Sequence, residues 1–508
     1  MAGKMTPDRT LVEQQWSRGI VRDRPRASIP DGGIYDCTDM LVEQPGKAYK
    51  RGGWERHSAA IGSETSVAAV ATIHLPTRVV AVAGGNLYDV TSETSPIATL
   101  VGACHAPGEN PPQYVDRLIF CHADSSAPPK KVYTTGGGGT VTVANLGGSP
   151  PSAAHSTVYA SRIVLGRGDG VSVETNRNRL WFSPAPDVEA TWNTTDSWID
   201  TTYEITGLAT VQGTLLIFSP THVERILGDT PPGGVDDAST NMQLQPAAGV
   251  GCLDARSIVD VGGEILFAGE EGVWATNGSG ARSLIRRDDQ SGIQTYWRSL
   301  FPSNEVRQVV GGLMRKDFYI LCILDASNAP VDTLTCHLPT QAWTRLTNVV
   351  SRMFAQGRTE DESMELFSAA AGEGYVHRMH SMLTPTAAFK NDGNGTAVAP
   401  TFTFRTAEGR PGLKAWGHGR LSYDLRDEDS DDPTLEVQVA SGVEAPTFAT
   451  AATLTETADE QRKRFNVNRD AQAVTVSLTQ SGPSAKTELY ALELEARPYD
   501  EPSEGVGP

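Results

Sequence analysis

Pairs of apolar runs, each pair joined by a glycine-containing or polar turn, recur along most of the chain. Short runs rich in β-branched and aromatic residues on either side of such a turn are typical of β-hairpins. Seven pairs occur, at Arg78–Val90, Arg117–Tyr133, Arg162–Phe182, Thr214–Ile226, Glu264–Thr276, Asp317–Leu338 and Glu365–Met379. They begin 39 to 53 residues apart, and one four-stranded propeller blade takes about 40–50 residues. The spacing predicts an all-β fold with a β-propeller of about seven blade-like repeats, and a set of unrelated β-sandwiches is the alternative.

The pattern changes after about residue 385, where apolar and polar residues alternate more strictly. Alternation of this kind is typical of antiparallel strands with one buried face. The predicted strands are Thr401–Arg405, Leu413–Tyr423, Thr434–Ala440, Lys463–Val467, Ala473–Leu478 and Glu488–Glu495. They indicate a C-terminal antiparallel β-sandwich.

These patterns divide the chain into four regions. Residues 1–54 are polar and interrupted by proline and glycine, so they predict an extended N-terminal arm. Residues 55–384 form the predicted propeller, 385–498 the sandwich, and 499–508 an acidic flexible tail. One short helix is predicted within Asp289–Leu300.

Charge and hydropathy narrow the classes of function. The 61 acidic and 43 basic residues give a formal charge of −18, which disfavours a surface that grips nucleic acid phosphates. No apolar run reaches the roughly 20 residues of a membrane-spanning helix, and the N-terminus lacks the apolar core of a signal peptide. We therefore expect no membrane-spanning segment and synthesis in the cytoplasm.

Three Cys-His dipeptides are candidate metal ligands, since zinc is bound by both residue types. They are Cys104-His105, Cys121-His122 and Cys336-His337. Adjacent residues of a strand point to opposite faces, so one dipeptide rarely supplies two ligands to one ion. The interpretation favoured for each is a buried reduced cysteine beside an exposed histidine. His377 is expected to be an ordinary surface residue.

The sequence contains none of the usual enzyme motifs, such as the nucleophile elbow, the zinc-protease helix and the phosphate-binding loops. We expect no catalytic residue, no cofactor and no metal. A pair of carboxylates for glycan hydrolysis remains an alternative among so many acids. A receptor-binding or carbohydrate-binding propeller is another, because Trp192, Trp198 and Trp416 are candidates to stack on sugars. The acidic run Asp424–Asp432 resembles a calcium loop only in charge, and a hairpin loop is favoured.

Three stretches together resemble one family. The first comprises the arm from Arg24 to Asp36 and then Lys47–Trp54. The second begins at Arg179-Leu180-Trp181-Phe182-Ser183 and continues through Asp187, Trp192 and the Leu215–Gly228 hairpin. The third runs from Gly251-Cys252 through Arg256-Ser257 to Gly263–Gly278, and Ala342–Leu346 fits the same pattern. These stretches resemble the propeller of tail nozzle, or hub, proteins of short-tailed bacteriophages.

The resemblance implies a structural virion protein of the phage tail. Such a protein forms a homohexameric ring below the portal and adaptor, extends the DNA-ejection channel and gates it. Its expected partners are copies of itself, the adaptor or head-to-tail connector, and tail fibres, spikes or a needle. Packaged DNA is expected to pass without specific binding. A minor tail-tip protein is the alternative position in a virion.

Overall fold

The computed structural model describes residues 9–498 with short gaps, of which the longest are at 24–32, 92–98, 169–175, 234–239, 286–291, 359–363, 383–391, 408–413, 427–432, 442–446 and 456–460. The chain is all-β, as predicted, with 58% of it in strands. The predicted short helix is present as α1 (Gln294–Ser299), and a 3-10 turn covers Ala255–Ser257. No helix in these residues is long and apolar enough to cross a membrane.

Seven strands of the described residues precede the first of the repeated sheets. They are β1 (Arg9–Glu13), β2 (Gly19–Ile20), β3 (Gly33–Ile34), β4 (Asp36–Thr38), β5 (Met40–Gln44), β6 (Lys47–Lys50) and β7 (Glu55–Arg56).

The next 27 strands form seven antiparallel sheets that follow one another along the chain. Sheet 1 contains β8 (Ala69–His74), β9 (Thr77–Ala83), β10 (Asn86–Asp89) and β11 (Thr99–Ala103). Sheet 2 contains β12 (Gln113–Tyr114), β13 (Arg117–Phe120), β14 (Lys130–Thr135) and β15 (Thr140–Asn145). Sheet 3 contains β16 (Ala153–Tyr159), β17 (Arg162–Gly168), β18 (Arg179–Phe182) and β19 (Trp198–Asp200). Sheet 4 contains β20 (Gly207–Val211), β21 (Thr214–Phe218), β22 (Val223–Leu227) and β23 (Gln243–Ala248). Sheet 5 contains β24 (Val259–Asp260), β25 (Ile265–Gly269), β26 (Gly272–Thr276) and β27 (Ala281–Ser283). Sheet 6 contains β28 (Arg307–Met314), β29 (Phe318–Asp325), β30 (Pro330–His337) and β31 (Ala342–Arg345). Sheet 7 contains β32 (Ser351–Arg358), β33 (Met364–Ala370) and β34 (Val376–Arg378).

Each predicted hairpin is the second and third strand of one of these sheets. In every sheet the strands pair in chain order, so the path is a simple meander. Sheet 7 has only three consecutive strands, and its fourth is β7, which pairs Glu55 with Arg378. The N-terminal region thus completes the last sheet.

The middle strands explain why the apolar runs were nearly continuous rather than alternating. In β29, the residues from Phe318 to Leu324 are all buried, and β25 is buried along its whole length. A strand that is covered on both faces needs apolar residues at every position. Outer strands differ, since β11 and β23 have no fully buried residue. Sheets 5 and 6 therefore pack on both faces at their second strand, and sheets 1 and 4 reach solvent at their fourth. Sheet 6 differs at its fourth strand, because β31 is buried and pairs with β4.

The C-terminal strands form two further sheets. Their bounds are β35 (Thr401–Ala407), β36 (Lys414–Arg426), β37 (Thr434–Ser441), β38 (Ala449–Thr455), β39 (Gln461–Ala471), β40 (Ala473–Ser481) and β41 (Lys486–Pro498). One sheet has the order β4-β35-β40-β37-β38 and continues into sheet 6, because β4 also pairs with β31. The other has the order β39-β36-β41-β6-β5, with β1 also on β41. We call these two sheets the C-terminal pair.

All six strands predicted in the C-terminal region are present, and β38 is an additional one. Its sequence, Ala-Thr-Ala-Ala-Thr-Leu-Thr, has too few large apolar residues to show alternation. The acidic run after Arg426 joins β36 to β37, which lie in different sheets, so these strands do not form the expected hairpin. Residues 427–432 of the run lie outside the described residues.

Strands of the predicted arm belong to the C-terminal pair. β5 and β6 form a hairpin that pairs Ala48 with Leu489, and Trp16 packs edge-on against Phe402 with ring centroids 4.4 Å apart. Residues 499–508, the predicted tail, lie outside the described residues.

Candidate functional site

A cavity of about 270 Å³ lies where the first strands of several sheets converge. Its wall includes Val70–His74 of sheet 1, Gln113 of sheet 2, Val259–Asp260 of sheet 5, Gly311–Leu313 of sheet 6 and Phe354–Gln356 of sheet 7. These residues lie up to 286 positions apart in the chain, so the cavity is a product of how the sheets are arranged. The arrangement brings the first and last sheets together at one wall.

Hydrogen bonds connect the first strands of neighbouring sheets, both at this cavity and at sheets 3 and 4, whose described residues do not line it. Thr72 Oγ1 donates to the carbonyl of Gln356, which joins sheet 1 to sheet 7. Thr210 Oγ1 donates to the carbonyl of Val158 over 2.8 Å, joining sheets 4 and 3. Gln356 Nε2 donates to the carbonyl of Arg315 over 3.1 Å, joining sheets 7 and 6.

Further bonds join the turns between first and second strands. The backbone N–H of His74 donates to Gln113 Oε1 over 3.0 Å, between sheets 1 and 2. Tyr114 OH donates to the carbonyl of Ser161 over 3.3 Å, between sheets 2 and 3. Gln212 Nε2 donates to the carbonyl of Gly263 over 3.4 Å, between sheets 4 and 5. These turns therefore lie at one common end of the sheets, which we call the turn end.

The cavity wall is largely neutral. Its apolar part includes Leu118, Ile258, Leu313, Phe354 and Leu366. Its polar part offers the hydroxyl of Thr72 and the amides of Asn110, Gln113 and Gln356, and its ionisable side chains are His74 and Asp260. Among the described residues, the wall has one carboxylate, whereas glycan hydrolysis uses a pair of acids.

A buried ion cluster lies where the C-terminal pair meets sheets 6 and 7. Arg51 is fully buried, and its Nε is 2.7 Å from Asp39 Oδ1. Its Nη1 and Nη2 lie 2.8 and 3.0 Å from the two carboxylate oxygens of Asp392. Nη2 also donates to the carbonyl of Thr347, and Asn348 Nδ2 donates to Asp392, each within 2.9 Å. Every charge in the cluster therefore has several partners.

This cluster explains the Lys47–Trp54 stretch in structural terms. The Asp39 and Asp392 carboxylates raise the pKa of Arg51 against the opposing effect of burial, so the guanidinium stays charged. Burial lowers the pKa of the neighbouring Lys50 to about 8. Trp54 donates its Nε1–H to the carbonyl of Asn348 over 2.9 Å. The stretch joins the arm to the connection between sheets 6 and 7.

Arg256, in another stretch of the resemblance, connects three sheets. Its Nη2 lies 2.6 Å from Asp254 Oδ2 and 2.7 Å from Gln308 Oε1. Its Nη1 donates to the carbonyl of Arg352 over 3.3 Å. Trp343 has a similar role, since its Nε1–H donates to the carbonyl of Leu284 over 3.0 Å. The motif residues thus make structural contacts between sheets 5, 6 and 7.

All six cysteines are free and buried, as predicted. Burial raises the pKa of Cys104 to about 11 and that of Cys121 further, so both thiols are protonated at neutral pH. Within the described residues no three potential ligands are grouped around a common point. His105 and His122 do meet, with ring centroids 4.5 Å apart.

Two histidines differ from their predicted exposure. His337 is buried, and its Nδ1 lies 2.9 Å from Thr340 Oγ1. His377 is also buried, stacked on Trp54 with centroids 3.7 Å apart, because β7 covers it as the fourth strand of sheet 7. Burial lowers the pKa of His377. The expectation of a surface residue was wrong there because it treated β34 as an open edge.

The three candidate sugar-binding tryptophans are not open platforms. Trp192 and Trp416 are buried in separate apolar clusters. Trp198 is half-buried, and the guanidinium of Arg179 lies 3.7 Å from its ring centroid. These rings pack the fold rather than present a face to solvent.

No protein-family model matches the sequence, and no curated protein matches it. Among solved structures, a family 29 carbohydrate-binding module in complex with cellulohexaose is similar over 19% of this chain and 69% of its own, with 10% identity and a TM-score of 0.15. The module TmCBM61 in complex with β-1,4-galactotriose is similar over 20% of this chain and 64% of its own, with 5% identity and the same TM-score. Likenesses at this level carry no argument about fold or function.

Proposed function

We propose that sheets 1 to 7 are the blades of a seven-bladed β-propeller and that the C-terminal pair is a β-sandwich attached to blade 6. The observation that carries this proposal is the common cavity, since first strands from sheets at both ends of the series line it. A row of separate sandwiches would have no reason to place sheet 7 against sheet 1. In a propeller, β7 would supply the fourth strand of the last blade, and this pairing would hold the last blade next to the first.

We propose further that the chain is a structural virion protein, the tail nozzle or hub of a short-tailed phage. The support is the sequence resemblance together with the roles of its residues. Arg51, Arg256 and Trp343 each join two or more parts of the fold. Residues with such roles belong to a rigid scaffold, and a mechanical part of a tail needs one.

The size of the cavity bears on the path of DNA in this proposal. A volume of about 270 Å³ equals a cube with edges of about 6.5 Å, whereas the major groove of duplex DNA alone is about 12 Å wide. A duplex therefore does not fit into this cavity. The channel of a nozzle built from this chain lies between copies arranged in a ring.

Charge is consistent with such a channel. The net charge of −18 disfavours binding of phosphates, and a basic wall would hold DNA through contacts that release counterions. We expect no measurable binding of duplex DNA even at about 50 mM salt, where such contacts are strong. Micromolar binding that weakens steeply with added salt would contradict the sliding-channel proposal.

The test of the proposed function is electron microscopy of the purified protein in negative stain. We expect sixfold rings with an open centre. A preparation that contains only single particles across the micromolar range would overturn the ring, and with it the nozzle assignment.

A further inference from the structure

Arg352 is a half-buried cation without a carboxylate partner among the described residues. Its Nη1 donates to Ser66 Oγ over 3.2 Å, and no other acceptor in the described part of the chain bonds to the guanidinium. The Nε–H is shielded from solvent, whereas Nη2 is not. An arginine side chain has five N–H donors, so Arg352 has unused donors at Nη1 and Nη2.

A second guanidinium, that of Arg256, adjoins Arg352. Its Nη1 donates to the backbone carbonyl of Arg352 over 3.3 Å. The charge of Arg256 is balanced by Asp254, whose Oδ1 and Oδ2 lie 3.0 and 2.6 Å from its Nε and Nη2. Asp254 Oδ2 also accepts the backbone N–H of Val309. With one carboxylate for two cations, this group of described residues carries an unbalanced positive charge.

The pKa of Arg352 reflects this imbalance, because it is lowered by burial and by the charge of Arg256. The other described arginines with a shifted pKa behave in the opposite way. Their acidic neighbours outweigh the effect of burial and raise the pKa; they are Arg51, Arg117, Arg256, Arg282 and Arg345. A lowered pKa means that the surroundings disfavour the charged form, and an anion bound beside the guanidinium would remove that cost.

The group lies at the end of the sheets where the first strands begin. Ser66 precedes β8, Arg256 precedes β24, and Arg352 is the second residue of β32. Gln308, which accepts a hydrogen bond from Arg256 over 2.7 Å, is the second residue of β28. The turn end is at the other end of these strands. The first strands of four sheets that line the cavity therefore begin beside Arg256 and Arg352, which we call the arginine pair.

We propose that the arginine pair binds a small free oxyanion with the chemistry of phosphate. The Nη1 and Nη2 groups of Arg352 offer parallel N–H donors that match two phosphate oxygens, and the charge of Arg256 attracts the same ion. A carboxylate has a similar geometry but a single charge, so it should bind more weakly. The donors belong to a half-buried side chain between four sheets, which favours a small ion over the backbone of a nucleic acid. This inference goes beyond the proposed function and does not depend on it.

Titration with inorganic phosphate at neutral pH, followed by the linewidth of its phosphorus NMR signal, tests the site. Saturable broadening is expected with the wild type. Arg352→Gln removes the charge and keeps a polar side chain, so its Kd for phosphate should be about tenfold higher, as expected for the loss of one charge-assisted contact. Arg352→Lys keeps the charge without the planar fork, and its Kd should lie between the two.

Arg282→Gln is the matched control. It removes the same charge from sheet 5, but Arg282 pairs with Glu264, which follows the turn between β24 and β25 at the turn end. This variant should bind phosphate like the wild type. Phosphate also stabilises folded proteins in general through exclusion from their surface. The rise in melting temperature on addition of phosphate should therefore be larger in Arg282→Gln than in Arg352→Gln.

Four results would overturn the inference. They are the absence of broadening with the wild type, an equal Kd in the wild type and Arg352→Gln, an equal rise in melting temperature in Arg352→Gln and Arg282→Gln, and displacement of phosphate by duplex DNA, which would assign the arginine pair to a nucleic acid instead. In chloride buffer Arg352→Gln should melt no lower than the wild type, because it relieves the repulsion from Arg256. If it does melt lower, Arg352→Lys decides: a Kd above that of the wild type supports the site, and an unchanged Kd contradicts it.

Discussion

Sheets 1 to 7 and the C-terminal pair are built by opposite rules. In sheets 1 to 7 nearly every strand pairs with its neighbour in sequence, whereas the C-terminal pair combines β1, β4, β5 and β6 with strands more than 350 residues later. Loop closure over such a distance costs entropy that local hairpins do not incur. The difference indicates that the first region is stabilised by local pairing and sheet packing, and the second by a few long-range anchors.

Removal of the Arg51 guanidinium, which pairs with Asp39 and Asp392, should have the largest effect on stability. In Arg51→Met, Asp39 and Asp392 remain buried without their cation, and breaking a buried pair in this way costs about 3–5 kcal/mol. We expect a drop of that size in the free energy of unfolding, measured by urea denaturation. Arg282→Met is the control, because the Arg282–Glu264 pair is exposed and should contribute at most about 1 kcal/mol.

A substitution within sheets 1 to 7 should lower the free energy of unfolding by nearly as much, but through the loss of packing contacts. Phe267 is fully buried in sheet 5 and contacts Phe218 of sheet 4 with centroids 5.0 Å apart. Phe267→Ala should cost about 3–5 kcal/mol. A double-mutant cycle with Phe218→Ala should show coupling of about 0.5–1.5 kcal/mol. The cycle with Phe465→Ala in the C-terminal pair should be additive, and coupling there would contradict the separation of the two regions.

A smaller effect on stability should come from β7, the N-terminal strand that covers His377 in sheet 7. Burial lowers the pKa of His377 under β7, so the folded state binds fewer protons there than the unfolded state does. Stability should therefore fall as pH decreases below about 6.5, where the unfolded histidine begins to charge. Melting curves between pH 7.5 and 5 should show a shallower pH dependence in His377→Gln. The same slope in the variant and the wild type would refute this role.

The same difference between local and long-range pairing explains which features could be predicted from the sequence. The seven hairpins were found because each is encoded within about 25 residues by apolar runs around a turn. The first and fourth strands were harder, since outer strands such as β23 have little apolar content. The partners of Arg51 were missed because Asp392 lies 341 residues away. β7 covers His377 from a similarly large distance along the chain, and no local pattern shows that.

The arrangement of sheets around one cavity can be tested by a single cross-linking measurement. Cysteines at Thr72→Cys and Gln356→Cys would lie on adjacent first strands of sheets 1 and 7, where Thr72 contacts Gln356. Mild oxidation should join the two new thiols in a disulfide within one chain, while the native cysteines, which are buried and free, should stay reduced. The denatured product should then migrate faster in electrophoresis, and a Thr72→Cys, Thr210→Cys pair should not cross-link. Absence of the link between residues 72 and 356 in folded protein would contradict the radial array.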